Sequence, residues 1–131
     1  MNLIICLDDK NGYSFASRRQ SSDKIQIEKM LELVGKNKLF LNAYSAKLFG
    51  ELPNITVCEN PLESAKNGDY CFIENITLND ISTEKVIIYR WNRHYPSDKK
   101  FPEKLLSGKA LKSTIDFVGN SHERITEEVY E

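Results

Sequence analysis

Of its 131 residues only three are cysteine, two histidine and one tryptophan, and no apolar run approaches the roughly 18 residues a membrane-crossing helix needs. Each shortage excludes something. Cys6, Cys58 and Cys71 are odd in number and each sits in an apolar run, so a disulfide framework is not expected, and their spacing fits no zinc motif. They read as buried, reduced thiols. With His94 and His122 the only histidines, a histidine-rich hydrolase metal centre is excluded and no metal site is expected. Neither sign of charge dominates. The formal net charge is −1, so no global field draws the chain to nucleic acid or to an anionic membrane. The basic residues are also dispersed among acids, which argues against a nucleic-acid interface. The opening Met1–Asp9 lacks a basic n-region and turns acidic after its apolar residues, so it does not read as a signal peptide. A cytoplasmic protein is expected.

What is present is an ordinary globular balance, 40% hydrophobic and 28% charged, in a chain long enough to bury one core. Residues 1–131 are expected to form one domain. Asn2–Leu7 reads as a central strand buried on both faces, ended by the turn chemistry of Asp8-Asp9-Lys10-Asn11-Gly12. Tyr13–Ser22 has no clear period and reads as a loop. Ser22 suits an N-cap and Asp23 a first turn, and Ile27, Met30, Leu31 and Val34 follow at helical spacing, so a helix is expected over 23–34, closed by Gly35. Short strands are expected at 38–42, 55–59 and 70–74, with short helices at 43–49, 61–66 and 79–83. Two strands near 110–118 and 122–130 close the chain as a hairpin. Strands alternating with helical segments imply a mostly parallel sheet flanked by helices.

The densest segment is Val86–Pro102, VIIYRWNRHYPSDKKFP. Val86, Ile87, Ile88 and Tyr89 are what a buried strand looks like, and the run reads as continuing to Tyr95 before Pro96 stops it. On that reading Arg90, Asn92 and His94 share one face, and Tyr89, Trp91, Arg93 and Tyr95 the other. Trp91, Arg93, His94 and Tyr95 then form a candidate protein interface, since tryptophan and arginine are typical anchors, and a homodimer is the partner it suggests. A strand end capping a small cluster is the plainer alternative. His122 lies in a turn with no acid or nucleophile adjacent in sequence, so Ser-His-Asp chemistry cannot be argued from spacing.

The order of elements and several strings resemble the dihydrofolate reductase family over nearly the whole length. The first strand followed by Asp9-Lys10-Asn11-Gly12 is similar to that family's first strand and active-site loop. KLFLN followed by AYSAKLFG resembles its strand-then-helix segment ending in glycine, and Val86 through Asp98 to Phe101-Pro102 has its spacing. Asn120-Ser121-His122, entering a final strand with Glu127-Glu128, resembles its closing segment. The resemblance implies a dihydrofolate reductase-like α/β fold, with Asp23 as the buried acid that orients and protonates a heterocycle, for which its pKa must be raised. A first-turn carboxylate serving the helix dipole is the structural alternative.

Other positions depart from that family. Its glycine pair, where a pyrophosphate meets a helix N-terminus, falls at Glu74-Asn75, and its basic phosphate clamp falls at Asn42, Ala43, Tyr44 and Ser45. NAD(P)H is therefore a cofactor the fold implies but whose motifs are absent. Three readings follow. One is a non-catalytic binder, a pseudoenzyme holding a nucleotide-like or pterin-like small molecule with Arg18, Arg19, Asn42, Ser45, Tyr89 and Arg90 as ligand-binding candidates. Another is a divergent NAD(P)H-dependent reductase with Asp23 as its catalytic residue. The third is an interaction module working through residues 90–95.

Overall fold

The structure is a computed structural model that describes all 131 residues. Its main body is a seven-stranded sheet built from β1 (Asn2–Leu7), β4 (Leu39–Leu41), β5 (Ile55–Val57), β6 (Tyr70–Ile73), β7 (Lys85–Arg90), β9 (Leu111–Phe117) and β10 (Ile125–Tyr130). Across the sheet the strands run β5-β4-β6-β1-β7-β10-β9. The first five are parallel; β10 is antiparallel to β7 and forms the expected hairpin with β9. β1 sits in the middle because LIIC is apolar on both faces, and its two faces seed two cores. Leu3, Ile5 and Leu7 join Ile73, Val86, Ile88 and Phe101 on one side. On the other, Ile4 joins Leu39, Leu41, Phe72, Ile87 and Tyr89 beneath α1 (Lys24–Val34).

α1 forms where the period demanded. Gln26, Met30 and Val34, one turn apart, make its buried stripe, and Gly35 closes it with φ 59°. Its N-cap is Asp23 rather than Ser22: the carboxylate accepts from the Ile25 and Gln26 N–H groups. Two further short helices, α2 (Ala43–Ala46) and α3 (Pro61–Ser64), are a single turn each, and 79–83 is not helical. No helix is long and apolar enough to cross a membrane.

Two longer stretches also differ from expectation. Tyr13–Ser22 is not a loop throughout: β2 (Gly12–Phe15) and β3 (Arg18–Arg19) form a hairpin, and β2 also pairs with β8 (Lys99–Lys100) in a second, three-stranded sheet. The connecting residues Ala16 and Ser17 both take positive φ, at 51° and 61°, as a two-residue hairpin requires, but neither is the glycine or asparagine that signals one. Asp98 Oδ2 accepts the Ala16 N–H at 2.9 Å and holds the tip. β7 stops at Arg90 instead of running on to Tyr95, because Asn92 enters the left-handed region at φ 58°. Residues 91–95 therefore do not alternate between two faces.

Candidate functional site

In an open, largely parallel sheet, ligands sit outside the carboxyl ends of the strands. Here those ends deliver Asp8 from β1, Asn42 from β4, Glu74 from β6 and Trp91 from β7.

Beyond β6 and β4 the chain fills its own crevice. Arg19, from β3, forms a bidentate pair with the buried Glu74, with Nε at 2.8 Å from Oε2 and Nη2 at 3.0 Å from Oε1. Ser45 Oγ donates to Glu74 Oε1 at 2.8 Å. The Arg19 guanidinium also lies over the Tyr44 ring, 4.3 Å from its centroid, and its backbone N–H donates to the Tyr44 hydroxyl. Burial pulls the Arg19 pKa down, but the Glu74 carboxylate outweighs it and holds it above its usual value. Asn42 caps α2 by accepting the Ser45 N–H and donates to Asn75 Oδ1, while Asn75 Nδ2 reaches Ser17 O at the hairpin tip. The hairpin is thus tied down by Glu74 and Asn75.

Under α1 the second cluster forms. Asp23, 2% exposed, accepts from the Asn120 and Ser121 N–H groups at 2.9 and 2.8 Å, besides the two helix amides. Its Oδ2 also lies 3.0 Å from His122 Nδ1. The chain can fold this tightly because residue 119 is glycine: a Cβ there would stand 2.6 Å from Asp23 Oδ2 and 2.9 Å from the His122 carbonyl. Burial pushes the Asp23 pKa up, but the bonds from Asn120, His122, Ser121 and Gln26 together outweigh it and hold it well below the ordinary range. The raised pKa that protonation of a heterocycle calls for is not what this environment produces. The His122 ring is stacked on Trp91, with centroids 4.5 Å apart, and its Nε2 meets the Tyr95 hydroxyl at 2.9 Å and Ser21 Oγ at 3.2 Å.

Between the clusters lies Cys6, half-buried on the α1 face of β1. Burial first, then the charges of Glu74 and Asp23, push its thiol pKa well up, so it is a neutral wall. Gln26, one turn before Met30 on the stripe facing the sheet, buries Nε2 without a protein partner. At the end of β1, buried Asp8 accepts from the Lys10, Gly12 and Tyr95 N–H groups and from Gln20, which hold its pKa down against burial.

Of the ligand-binding candidates, Arg19, Asn42 and Ser45 come together. Arg18 is exposed on the hairpin, Tyr89 is fully buried with its hydroxyl on Glu127, and Arg90 pairs with Glu128 and Asn11. Among the interface candidates, Arg93 and His94 are exposed and Tyr95 half-buried, but Trp91 is 2% exposed and belongs to the core. Sequence reasoning missed the Asp23–His122 pairing and Gln26. Cys71 alone of the cysteines is fully buried, which pushes its thiol up to about 12.

No family model matches the sequence, and no curated protein matches it. Among solved structures the chain is similar to dihydrofolate reductase from Enterococcus faecalis complexed with NADP(H) and RAB-propyl. The likeness covers 99% of this chain and 94% of that one, at 14% identity and a TM-score of 0.64. The fold is dihydrofolate reductase-like.

Proposed function

We propose that this protein binds a nucleotide-like or pterin-like small molecule on a dihydrofolate reductase-like scaffold, without the dinucleotide-dependent reduction that scaffold can serve. One observation carries the reading: the mouth of β6 and α2 is closed by the Arg19–Glu74–Ser45 arrangement, which puts a buried carboxylate where an anionic pyrophosphate would need glycine backbone and basic side chains. A dinucleotide would have to break a bidentate ion pair and then lie against Glu74. The place we assign to the ligand lies between β1 and the start of α1, beside Cys6 and Gln26. Gln26 offers a buried donor with no protein acceptor, and Cys6 offers a half-buried neutral wall. An unpaired buried donor costs about 1–3 kcal/mol, which a heterocycle with an acceptor on its edge recovers.

Native mass spectrometry of protein purified gently from its own host tests this. A co-purifying heterocycle, or thermal stabilisation by pterins or nucleotides that Gln26→Ala abolishes, supports the reading. A ligand-free mass together with no stabilisation by any member of such a panel overturns it.

A further inference from the structure

Ser21, His122 and Asp23 stand in a line that the proposed ligand site does not require. Ser21 Oγ lies 3.2 Å from His122 Nε2, and His122 Nδ1 lies 3.0 Å from Asp23 Oδ2. Asp23 stays ionised at neutral pH, so the ring proton belongs on Nδ1 and Nε2 is left as an acceptor. Trp91, stacked at 17° to the imidazole, fixes the ring plane. A nucleophile within reach of a base, and a base oriented by a third group, is the arrangement that activates a hydroxyl.

Access and charge stabilisation point the same way. His122 and Asp23 are buried while Ser21 is half-buried, so Ser21 is the member of the line with exposure to solvent. The Ser21 and Ser22 N–H groups donate to no protein acceptor, so the backbone at the nucleophile keeps two donors unused for a developing oxyanion. The Tyr95 hydroxyl, 2.9 Å from the same Nε2, shares the lone pair with Ser21 and restrains it.

We propose that Ser21 is a nucleophile, activated by His122 and Asp23, that attacks small activated carboxylic or phosphoric esters. With a carboxylic ester, Oγ bonds to the carbonyl carbon as its proton passes to Nε2. The bond from that carbon to the leaving oxygen then breaks, and the proton moves from Nε2 to the departing alcohol. A water deprotonated by Nε2 attacks the acyl-serine, and the acid departs as Ser21 regains its proton. Asp23 remains a carboxylate throughout and balances the imidazolium.

The test is labelling of the full chain with a small alkyl fluorophosphonate, in which Oγ bonds to phosphorus and fluoride leaves. One phosphonyl group per chain is expected, mapped to Ser21 by peptide mass spectrometry and absent from Ser21→Ala. Tyr95→Phe should label faster, because Nε2 then serves Ser21 alone, and His122→Asn slower by about 100-fold or more. His122→Asn also loses its Asp23 contact, so circular dichroism checks its folding; Ser21→Ala, which removes only the hydroxyl of a half-buried residue, decides the matter if it unfolds. An unlabelled wild-type protein, a label on another residue, or equal labelling of Ser21→Ala overturns the proposal.

Discussion

Asp23 and His122, 99 positions apart, meet at 3.0 Å in the interior, with the carboxylate capping α1 and the imidazole closing the turn that leads into the last strand. The contact joins the start of the first long helix to the hairpin that ends the fold. Asp23→Ala removes the cap, leaves the Asn120 and Ser121 amides unpaired and takes the partner from a buried histidine. We expect a loss of about 1–3 kcal/mol in urea denaturation, the range for leaving buried hydrogen-bonding groups unpaired. Asp23→Asn keeps one acceptor oxygen and should lose less.

Acid sensitivity follows from the same group. Asp23 and Asp8 both have folded pKa values below their ordinary ones, so in acid the unfolded chain binds more protons than the folded chain. Their contribution is complete above about pH 4 and is lost as pH falls further, through the folded values. Denaturant midpoints measured at descending pH should fall below about pH 4 in the wild type. Asp23→Asn and Asp8→Asn should each flatten that fall; identical slopes in all three proteins would remove these carboxylates from the explanation.

Two glycines give a matched pair. At Gly119 a Cβ collides with Asp23 Oδ2 at 2.6 Å and with the backbone oxygen of His122 at 2.9 Å, whereas at Gly50 nothing lies within 4 Å. Gly119→Ala should cost about 1–3 kcal/mol, the range for overpacking. Gly50→Ala should stay within about 0.5 kcal/mol of wild type by thermal melting.

The neighbouring arginines should behave differently. Arg19→Ala leaves Glu74 buried with Ser45 as its remaining side-chain donor, and is expected to cost about 1–3 kcal/mol. The same change should speed hydrogen exchange across the 12–19 hairpin. Arg18→Ala, at an exposed position, should leave stability within about 0.5 kcal/mol and exchange unchanged.

Trp91 separates a core role from a surface one. Its ring is buried and stacked on His122, so Trp91→Ala should destabilise by about 3–5 kcal/mol. Light scattering should show the same mass for the folded variant as for wild type; a change of mass without loss of stability would restore the interface reading.

The parts of the fold legible in sequence were those with strong local patterns. β1, β6 and β7 are nearly continuous apolar runs that no solvent-facing strand would carry, and α1 announces itself through Ile27, Met30, Leu31 and Val34. The 12–19 hairpin was not legible, because its strands are short and its turn uses Ala16 and Ser17 at positive φ, held by the distant Asp98. Residues 91–95 misled in the opposite sense: their polar-aromatic alternation imitates a strand that Asn92 breaks. In the candidate site, the absence of basic residues and glycines at 42–45 and 74–75 was readable, but Arg19 as the partner of Glu74 was not. Nor was His122 as the partner of Asp23, since nothing local records a pairing across most of the chain.

The central claim is the proposal that Arg19, Glu74 and Ser45 fill the place where a dihydrofolate reductase-like scaffold would seat a dinucleotide. Titration calorimetry of NADPH into the wild-type protein tests it most directly. The account predicts no saturable heat, meaning a Kd weaker than about 1 mM, or about −4 kcal/mol. A one-to-one isotherm in the micromolar range would contradict it, and would mean that the ion pair opens for the cofactor and that the reductase reading stands.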